Sequence, residues 1–229
     1  MRRNYGEARP QLDANFQGEL MAFALDFKAV KLFGVACILV STGCSTPRLD
    51  NYPPTKVGAA WTVATRDTGS FGSGSSQLSG KFVPNRIWQG KEVYAFEGSG
   101  LTTLMTKENT KFIVVLKGDT PVTTWDPPLG WQWPIEVGKS WTSRTKQTNH
   151  AAKTAIDLEY TQTVEAYETI TIPAGTYQTF RIRTSNSLGD ENVQWWSPDT
   201  GIFMKQSLRR SAKHPAGAGT RELEVTSFK

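Results

Sequence analysis

The side chains best suited to nucleophilic or metal chemistry are few, since the 229-residue chain has two Cys and two His. Cys44 directly follows Gly43, which is small enough to leave the peptide bond between them accessible, and the Cys44 sulfur is a nucleophile that can be alkylated. His150 and His214 have no second His or Cys at ligand spacing. We therefore expect both histidines to be loop residues, with no bound metal and no cofactor.

Carboxylates and serines are the other route to catalysis. The sequence contains no Gly-x-Ser-x-Gly nucleophile motif. Close acidic pairs such as Asp157 and Glu159 are two residues apart on a predicted strand, where both side chains share the solvent face. We predict that the protein is not an enzyme. A hydrolase directed at the cell wall, with catalytic groups brought together from distant segments, is the more distant alternative.

Tryptophans concentrate in residues 121–134, which hold three Trp and four Pro. Exposed indoles there could stack on sugars, lie in a lipid interface or line an apolar cavity, whereas buried ones would fill one end of the core. Adjacent residues of a strand point to opposite faces, so one of Trp195 and Trp196 is expected in the core. The candidate ligand-binding residues are Trp125, Trp131, Trp133 and Trp195.

Residues 21–43 have the pattern of an export signal. Lys28 and Lys31 precede a nine-residue apolar run over 32–40, and the small residues Ser41, Thr42 and Gly43 follow it. A positive flank, a short apolar core and a small-residue cleavage site are typical of a signal peptide. We therefore expect residues 1–20 to be an upstream extension that is not part of the signal.

Residues 40–44, with the sequence Val-Ser-Thr-Gly-Cys, resemble the lipobox of bacterial lipoproteins. The resemblance implies that diacylglycerol is attached to the Cys44 thiol, that the chain is cut between Gly43 and Cys44, and that the new amine is acylated, for example with palmitate. The next residue is Ser45 rather than Asp, which in that family implies the outer membrane. We expect a lipid-anchored protein that faces the periplasm.

The remaining chain predicts one domain behind a short tether. Residues 44–56 are rich in proline and predict an extended tether, and residues 57–229 predict a single β domain. The net charge of +5 is spread along the chain, so nucleic acid is not an expected partner.

Period-two alternation dominates after residue 59. In its longest run Leu158, Tyr160 and Gln162 alternate with acidic and hydroxyl residues. Clusters of Gly, Pro and Asp mark the turns between about nine to eleven strands. The pattern predicts an all-β fold, either an antiparallel β-sandwich or a strongly curved open half-barrel, preceded by a signal helix.

A short internal repeat accompanies the strands. Val57-Gly58-x-x-Trp61-Thr62 recurs as Val137-Gly138-x-x-Trp141-Thr142, 80 residues later. The β domain is therefore either one unrepeated unit or two related halves, residues 57–136 and 137–229.

The carboxy-terminal half is similar to exported bacterial domains of unknown function, many of which are lipoproteins. Three motifs carry this resemblance in order: residues 137–141, residues 172–177 with the sequence Ile-Pro-Ala-Gly-Thr-Tyr, and residues 195–202 with the sequence Trp-Trp-Ser-Pro-Asp-Thr-Gly-Ile. The resemblance implies an all-β fold and brings no activity with it.

These features favour a non-catalytic interaction or binding module held at the membrane through Cys44. Its expected partners are the membrane and either an envelope protein or an amphiphilic ligand. The alternative is a carrier or sensor that holds an amphiphilic or apolar ligand in the cavity of a curved sheet.

Overall fold

The computed structural model describes residues 47–53 and 56–229. The predicted upstream extension and signal peptide, with Gly43 and Cys44, lie outside the described residues. The described part contains fourteen β-strands. They are β1 (Arg48–Leu49), β2 (Ala60–Gly69), β3 (Gly74–Trp88), β4 (Lys91–Gly98), β5 (Leu101–Thr106), β6 (Phe112–Lys117), β7 (Thr120–Leu129), β8 (Ile135–Glu136), β9 (Ser140–Asn149), β10 (Thr154–Ile172), β11 (Gly175–Asn186), β12 (Glu191–Ser197), β13 (Ile202–Arg210) and β14 (Gly219–Phe228).

Twelve of these strands form a closed antiparallel barrel. Its order is β10, β11, β12, β13, β14, β2, β3, β4, β5, β6, β7 and β9, and β9 pairs back to β10. β1 and β8 form a separate two-stranded pair. No helix long and apolar enough to cross a membrane occurs among the described residues.

The prediction of an all-β fold is confirmed, but the prediction of a sandwich or an open half-barrel is wrong because the sheet closes on itself. β14 pairs with β2, which sets Val225 opposite Val63. β7 pairs with β9, which sets Trp125 opposite Gln147. Closure cannot be deduced from alternation, since inner and outer residues alternate in the same way in open and closed sheets.

The barrel consists of two six-stranded halves, and the longest strand of each half, β3 or β10, pairs with a different neighbour along each of its two ends. β3 pairs with β2 through residues 74–81 and with β4 through residues 80–88. β10 likewise pairs with β9 through residues 154–163 and with β11 through residues 160–172. Each long strand carries an irregularity just beyond its midpoint, at Val83/Arg86 in β3 and at Val164/Ala166 in β10. Strands β2–β7 and β9–β14 therefore follow the same path.

The two copies of the repeated motif have the same backbone geometry. Gly58 has a φ of 92° and Gly138 a φ of 89°. The Gly58 N–H donates to the Phe82 carbonyl at 2.8 Å, and the Gly138 N–H donates to the Val164 carbonyl at 2.8 Å. Each motif is thus a turn that fastens the start of one strand, β2 or β9, to the middle of the following long strand.

The interior of the barrel is packed with apolar side chains and buried amides. Met204 and Gln162 are both fully buried. The Trp141 Nε1 donates to the Gln162 Oε1 at 2.7 Å, and the Gln206 Nε2 donates to the Asn192 Oδ1 at 3.1 Å. Such partners offset the cost of burying an amide.

One end of the barrel is covered by two segments. The tip of the β10–β11 hairpin folds over it, and the Ala174 N–H donates to the Val225 carbonyl at 3.2 Å. The segment between β7 and β8 brings Trp131 and Trp133 against Trp196, with ring centroids 5.4 and 6.0 Å apart. Large aromatic side chains therefore close this end.

Candidate ligand-binding site

An apolar cavity of about 160 Å³ lies inside the barrel. Three neighbouring strands form one wall of it, and each contributes an aromatic side chain: Trp61 from β2, Phe82 from β3 and Phe96 from β4. The ring centroids of Trp61 and Phe82 are 5.1 Å apart, and those of Phe82 and Phe96 are 6.4 Å apart. Phe82 and Phe96 are register partners, so the strand pairing itself sets them side by side.

The opposite wall contains the aromatic side chains that close the barrel end. Trp131, Trp196 and Phe203 line the cavity. The Trp131 ring makes edge contacts with Trp196 at 5.4 Å and with Phe203 at 5.8 Å. Edge-to-face packing of this kind is a favoured arrangement of aromatic pairs. The cavity is therefore a preformed space between two groups of packed rings.

Tyr52 supplies a third part of the wall from the segment that follows β1. Its hydroxyl donates to the Gly201 carbonyl at 2.6 Å, and its ring lies 5.8 Å from Trp196 and 6.0 Å from Trp133. Burial raises the pKa of Tyr52, and the nearby Tyr94 raises it further. Tyr52 is therefore a neutral hydrogen-bond donor at physiological pH.

Part of the predicted tether is thus packed on the barrel. β1 pairs with β8 through Arg48 opposite Glu136 and Leu49 opposite Ile135. Tyr52 follows three residues after Leu49 and lines the cavity. The segment nearest to the predicted lipid anchor is therefore also a structural part of the candidate site.

The cations that line the cavity are ion-paired. Arg221 is 8% exposed, and it donates twice to the Asp67 carboxylate, at 2.8 and 2.6 Å. Its guanidinium also lies 4.7 Å from the centre of the Phe71 ring. Lys205 is also a lining residue, but its ammonium lies on the outer face, where it pairs with Glu224 at 2.7 Å. Because each cation has a carboxylate partner, the cavity suits an uncharged, apolar group.

A second, larger space of about 620 Å³ adjoins the cavity and is more polar. Lys81, Glu97 and Thr102 line this groove, and the first two form an ion pair at 3.2 Å. Trp61, Gly80 and Gly98 line both spaces, together with Ser79 and Ser99. Trp61, Gly80 and Gly98, which are register partners on β2, β3 and β4, therefore lie between the groove and the cavity.

The structure separates the four tryptophans that the sequence suggested as ligand-binding residues. Trp131 lines the cavity, and Trp133 packs behind it with ring centroids 6.3 Å apart. Trp125 is buried in another cluster, where its ring lies 6.0 Å from Phe112. These three side chains are mostly core residues. This agrees with the second interpretation of the sequence, in which the indoles fill one end of the core instead of forming an exposed binding loop.

Trp195 lies on the outer face of the barrel. Its Nε1 donates to the Glu168 Oε1 at 2.8 Å, and the Lys205 ammonium lies 5.7 Å from its ring centre. The physical reason is strand alternation, since Trp196 of the same strand points inward and is fully buried. Trp195 is therefore not among the residues that line the cavity with Trp131.

Sequence reasoning missed most of the aromatic residues that line the cavity. Trp61 is visible in the sequence only as part of the repeated motif, and Gly98 only as one of the glycines that mark turns. The glycines at 80 and 98 are register partners on β3 and β4. Two glycines within strands signal a place where another group approaches the backbone closely, and that signal could have pointed to the site.

The two histidines lie away from both spaces. The His150 Nε2 is 3.0 Å from the Thr124 hydroxyl, and the Ala216 N–H donates to the His214 Nδ1 at 3.1 Å. Burial lowers the pKa of His214, against the opposing effect of Asp190. Among the described residues, no group of three or more His, Cys, Asp or Glu side chains could hold a metal ion.

Comparisons with known proteins give no family assignment. No protein-family model matches the chain. No curated protein sequence matches it. Solved structures are similar to parts of it at low identity, and three of them are described next.

A candidate lipoprotein from Parabacteroides distasonis is 12% identical, with 79% of this chain and 99% of that chain covered and a TM-score of 0.42. A candidate exported protein with a YmcC-like fold from Bacteroides fragilis is 10% identical, with 79% and 100% covered and a TM-score of 0.41. The hypothetical lipoprotein YmcC from Escherichia coli is 14% identical, with 77% and 90% covered and a TM-score of 0.37. Likenesses at these scores do not define the fold or the function of this chain.

Proposed function

We propose that this protein is a non-catalytic binding module, anchored to the outer membrane through a lipid on Cys44, that holds an amphiphilic ligand by its apolar part. The anchor is supported by the signal pattern and by the lipobox-like residues 40–44. The ligand is supported by one structural observation, the aromatic-lined cavity of about 160 Å³ inside the barrel.

The size of the cavity limits the ligand. An engineered protein cavity of about 150 Å³ that is lined by apolar side chains binds benzene. Sites for drug-sized molecules are larger, about 300–1,000 Å³. The cavity of about 160 Å³ therefore holds one ring or the end of one aliphatic chain, and not a whole lipid.

The adjoining groove provides room for the rest of such a molecule. Its volume is about 620 Å³, and its lining includes the Lys81–Glu97 ion pair and the side chains of Ser79 and Thr102. These groups can hydrogen-bond a polar headgroup, while the buried rings take the chain. An apolar cavity beside a polar groove matches the two parts of an amphiphile.

Photo-crosslinking in cell envelopes tests this proposal on the full chain in its membrane. A fatty acid that carries a diazirine in its chain is added to envelopes, and the labelled peptides are identified by mass spectrometry. We expect labels on strands that line the cavity, such as β2 and β13, and we expect excess unlabelled fatty acid to remove them.

Two matched variants provide the control. Val63 lines the cavity, so Val63→Phe should fill it and abolish the label. Val193 is only partly buried and lies on the outward side of β12. Val193→Phe adds the same side-chain volume as Val63→Phe, but outside the cavity, so this variant should label normally. Labels confined to outer-face residues, or equal labelling of both variants, would contradict the proposal.

A further inference from the structure

Trp61 lies between the groove and the cavity. Trp61 is half-buried and lines both spaces, and it lies directly opposite Gly80 in the β2–β3 pairing. A Cβ atom added to Gly80 would be 2.4 Å from two ring carbons of Trp61. The indole therefore lies flat on the Gly80 backbone, in a place that a side chain would otherwise fill.

The corresponding place in the second half of the barrel is filled. There Trp141 lies opposite Gln162, and Gln162 lies opposite Thr184. Trp61 lies opposite Gly80, and Gly80 lies opposite Gly98. The buried side chains of Gln162 and Thr184 in the second half thus occupy the positions that correspond to Gly80 and Gly98 in the first half.

The two tryptophans are also held differently. Trp141 is 7% exposed, and its Nε1 donates to the Gln162 Oε1 at 2.7 Å. Trp61 makes no side-chain hydrogen bond within the part of the chain that the structure describes, and ring contacts with Phe82 and Phe96 hold it in place. Ring contacts are less directional than a buried hydrogen bond, so the Trp61 indole can rotate at lower cost.

We infer that the apolar part of the ligand enters the cavity between the groove and the barrel interior by displacing the Trp61 indole from Gly80, and that the ligand is an amphiphile with a single chain. This inference rests on the proposed function. The passage is one indole wide, and the glycines at 80 and 98 clear it of side chains. A single unbranched chain or one ring fits such a passage, whereas two chains joined at a headgroup do not.

Matched substitutions in the two halves test this entrance. Full-length variants in envelopes receive the diazirine fatty acid and are irradiated at successive times, so that the rate of labelling of cavity peptides is measured. Trp61→Phe removes part of the cover and should load about five- to tenfold faster than the wild type. Trp141→Phe makes the same substitution at a residue that lines neither the cavity nor the groove. This variant should load at the wild-type rate.

A third variant narrows the passage. Gly98→Thr introduces the residue type of Thr184, which occupies the corresponding position in the second half. The new side chain would lie on the same face of β4 as Phe96. We expect it to load at least about fivefold more slowly while the barrel stays folded, because threonine is favourable in strands. A diacyl probe should label the wild-type cavity weakly or not at all.

The outcomes separate this inference from the proposed function. If the wild type labels its cavity but Trp61→Phe loads no faster and Gly98→Thr loads no more slowly, the entrance is elsewhere and the binding proposal stands. Equal acceleration by Trp61→Phe and Trp141→Phe would also overturn the entrance, since it would reflect general loosening. Absence of any cavity label in the wild type would overturn both proposals.

Discussion

At the scale of single residues, Tyr52 connects the amino-terminal segment to the barrel. Its hydroxyl donates to the Gly201 carbonyl, and its ring packs on Trp196. Gly201 has a φ of 73° in the turn between β12 and β13. One phenol therefore joins the segment after β1, the β12–β13 turn and the wall of the cavity.

Tyr52→Phe should destabilise the protein by about 1 kcal/mol at neutral pH, because the Gly201 carbonyl loses its partner. The pH dependence should change as well. Burial raises the pKa of Tyr52, so above about pH 10 the unfolded state loses the proton first and the wild type becomes less stable as pH rises. Urea unfolding at pH 8 and above pH 10 measures both effects.

The phenylalanine variant lacks this titrating group, so its stability should fall less steeply at alkaline pH. Tyr160, whose pKa burial also raises, is present in both proteins and contributes equally. Parallel pH profiles for the two proteins would show that Tyr52 is not the group responsible.

Cys44 is the residue that carries the anchor proposal. We expect Cys44→Ser to lose incorporation of labelled palmitate and to leave the outer-membrane fraction, because a serine hydroxyl is a far weaker nucleophile than a thiolate. Each buried methylene of an acyl chain contributes about 0.8 kcal/mol to membrane binding, so loss of the chains should release the protein. Metabolic labelling and membrane fractionation give the readout.

Cys37 provides the control, since it is the other cysteine and lies within the predicted signal peptide. Cys37→Ser should keep both the label and the location. Palmitate on the Cys44→Ser variant would mean that another residue carries the lipid.

At the scale of elements, the two glycine turns show how a repeat in sequence becomes a repeat in structure. Gly58 and Gly138 both have φ near +90°, and no atom lies within 4 Å of a Cβ built on either. The requirement for glycine is therefore one of backbone conformation and not of space.

Gly58→Ala and Gly138→Ala should each reduce the free energy of unfolding by about 1–3 kcal/mol, because an L residue is strained at this φ. The two losses should agree within about 0.5 kcal/mol and should add in the double variant, since the turns are in different halves. Chemical denaturation of the three variants tests this. A loss at one turn without the other would show that the turns are not equivalent.

Strand positions were predictable from the sequence where one face is buried. In β10 the structure buries Leu158, Tyr160 and Gln162 and exposes Asp157, as the alternation indicated. Closure of the barrel was not predictable, because it depends on β14 meeting β2 over about 150 residues of chain. The candidate site was hidden for the same reason, since Trp61 and Gly80 meet only through the register of β2 and β3.

At the scale of the whole molecule, closure leaves neither half complete. Strands β2–β7 alone would expose the edges of β2 and β7, and strands β9–β14 alone would expose those of β9 and β14. Exposed edges of this length pair with other chains.

Residues 47–136 and 137–229 expressed as separate chains should therefore aggregate, whereas coexpression should give a soluble one-to-one complex. The complex regains the β14–β2 and β7–β9 pairings. Size-exclusion chromatography and circular dichroism compare the three preparations. A monomeric half with cooperative unfolding would show that it folds without its partner half.

With the proposed acyl chains on Cys44, the pairing of β1 with β8 also limits how far the barrel can stand from a membrane. Arg48 is four residues beyond Cys44, and an extended chain spans at most about 3.6 Å per residue. With acyl chains on Cys44, the first paired strand stands at most about 14 Å from the lipidated residue. The barrel then cannot swing across the periplasm, so anything it receives or delivers has to come to the surface of its own bilayer.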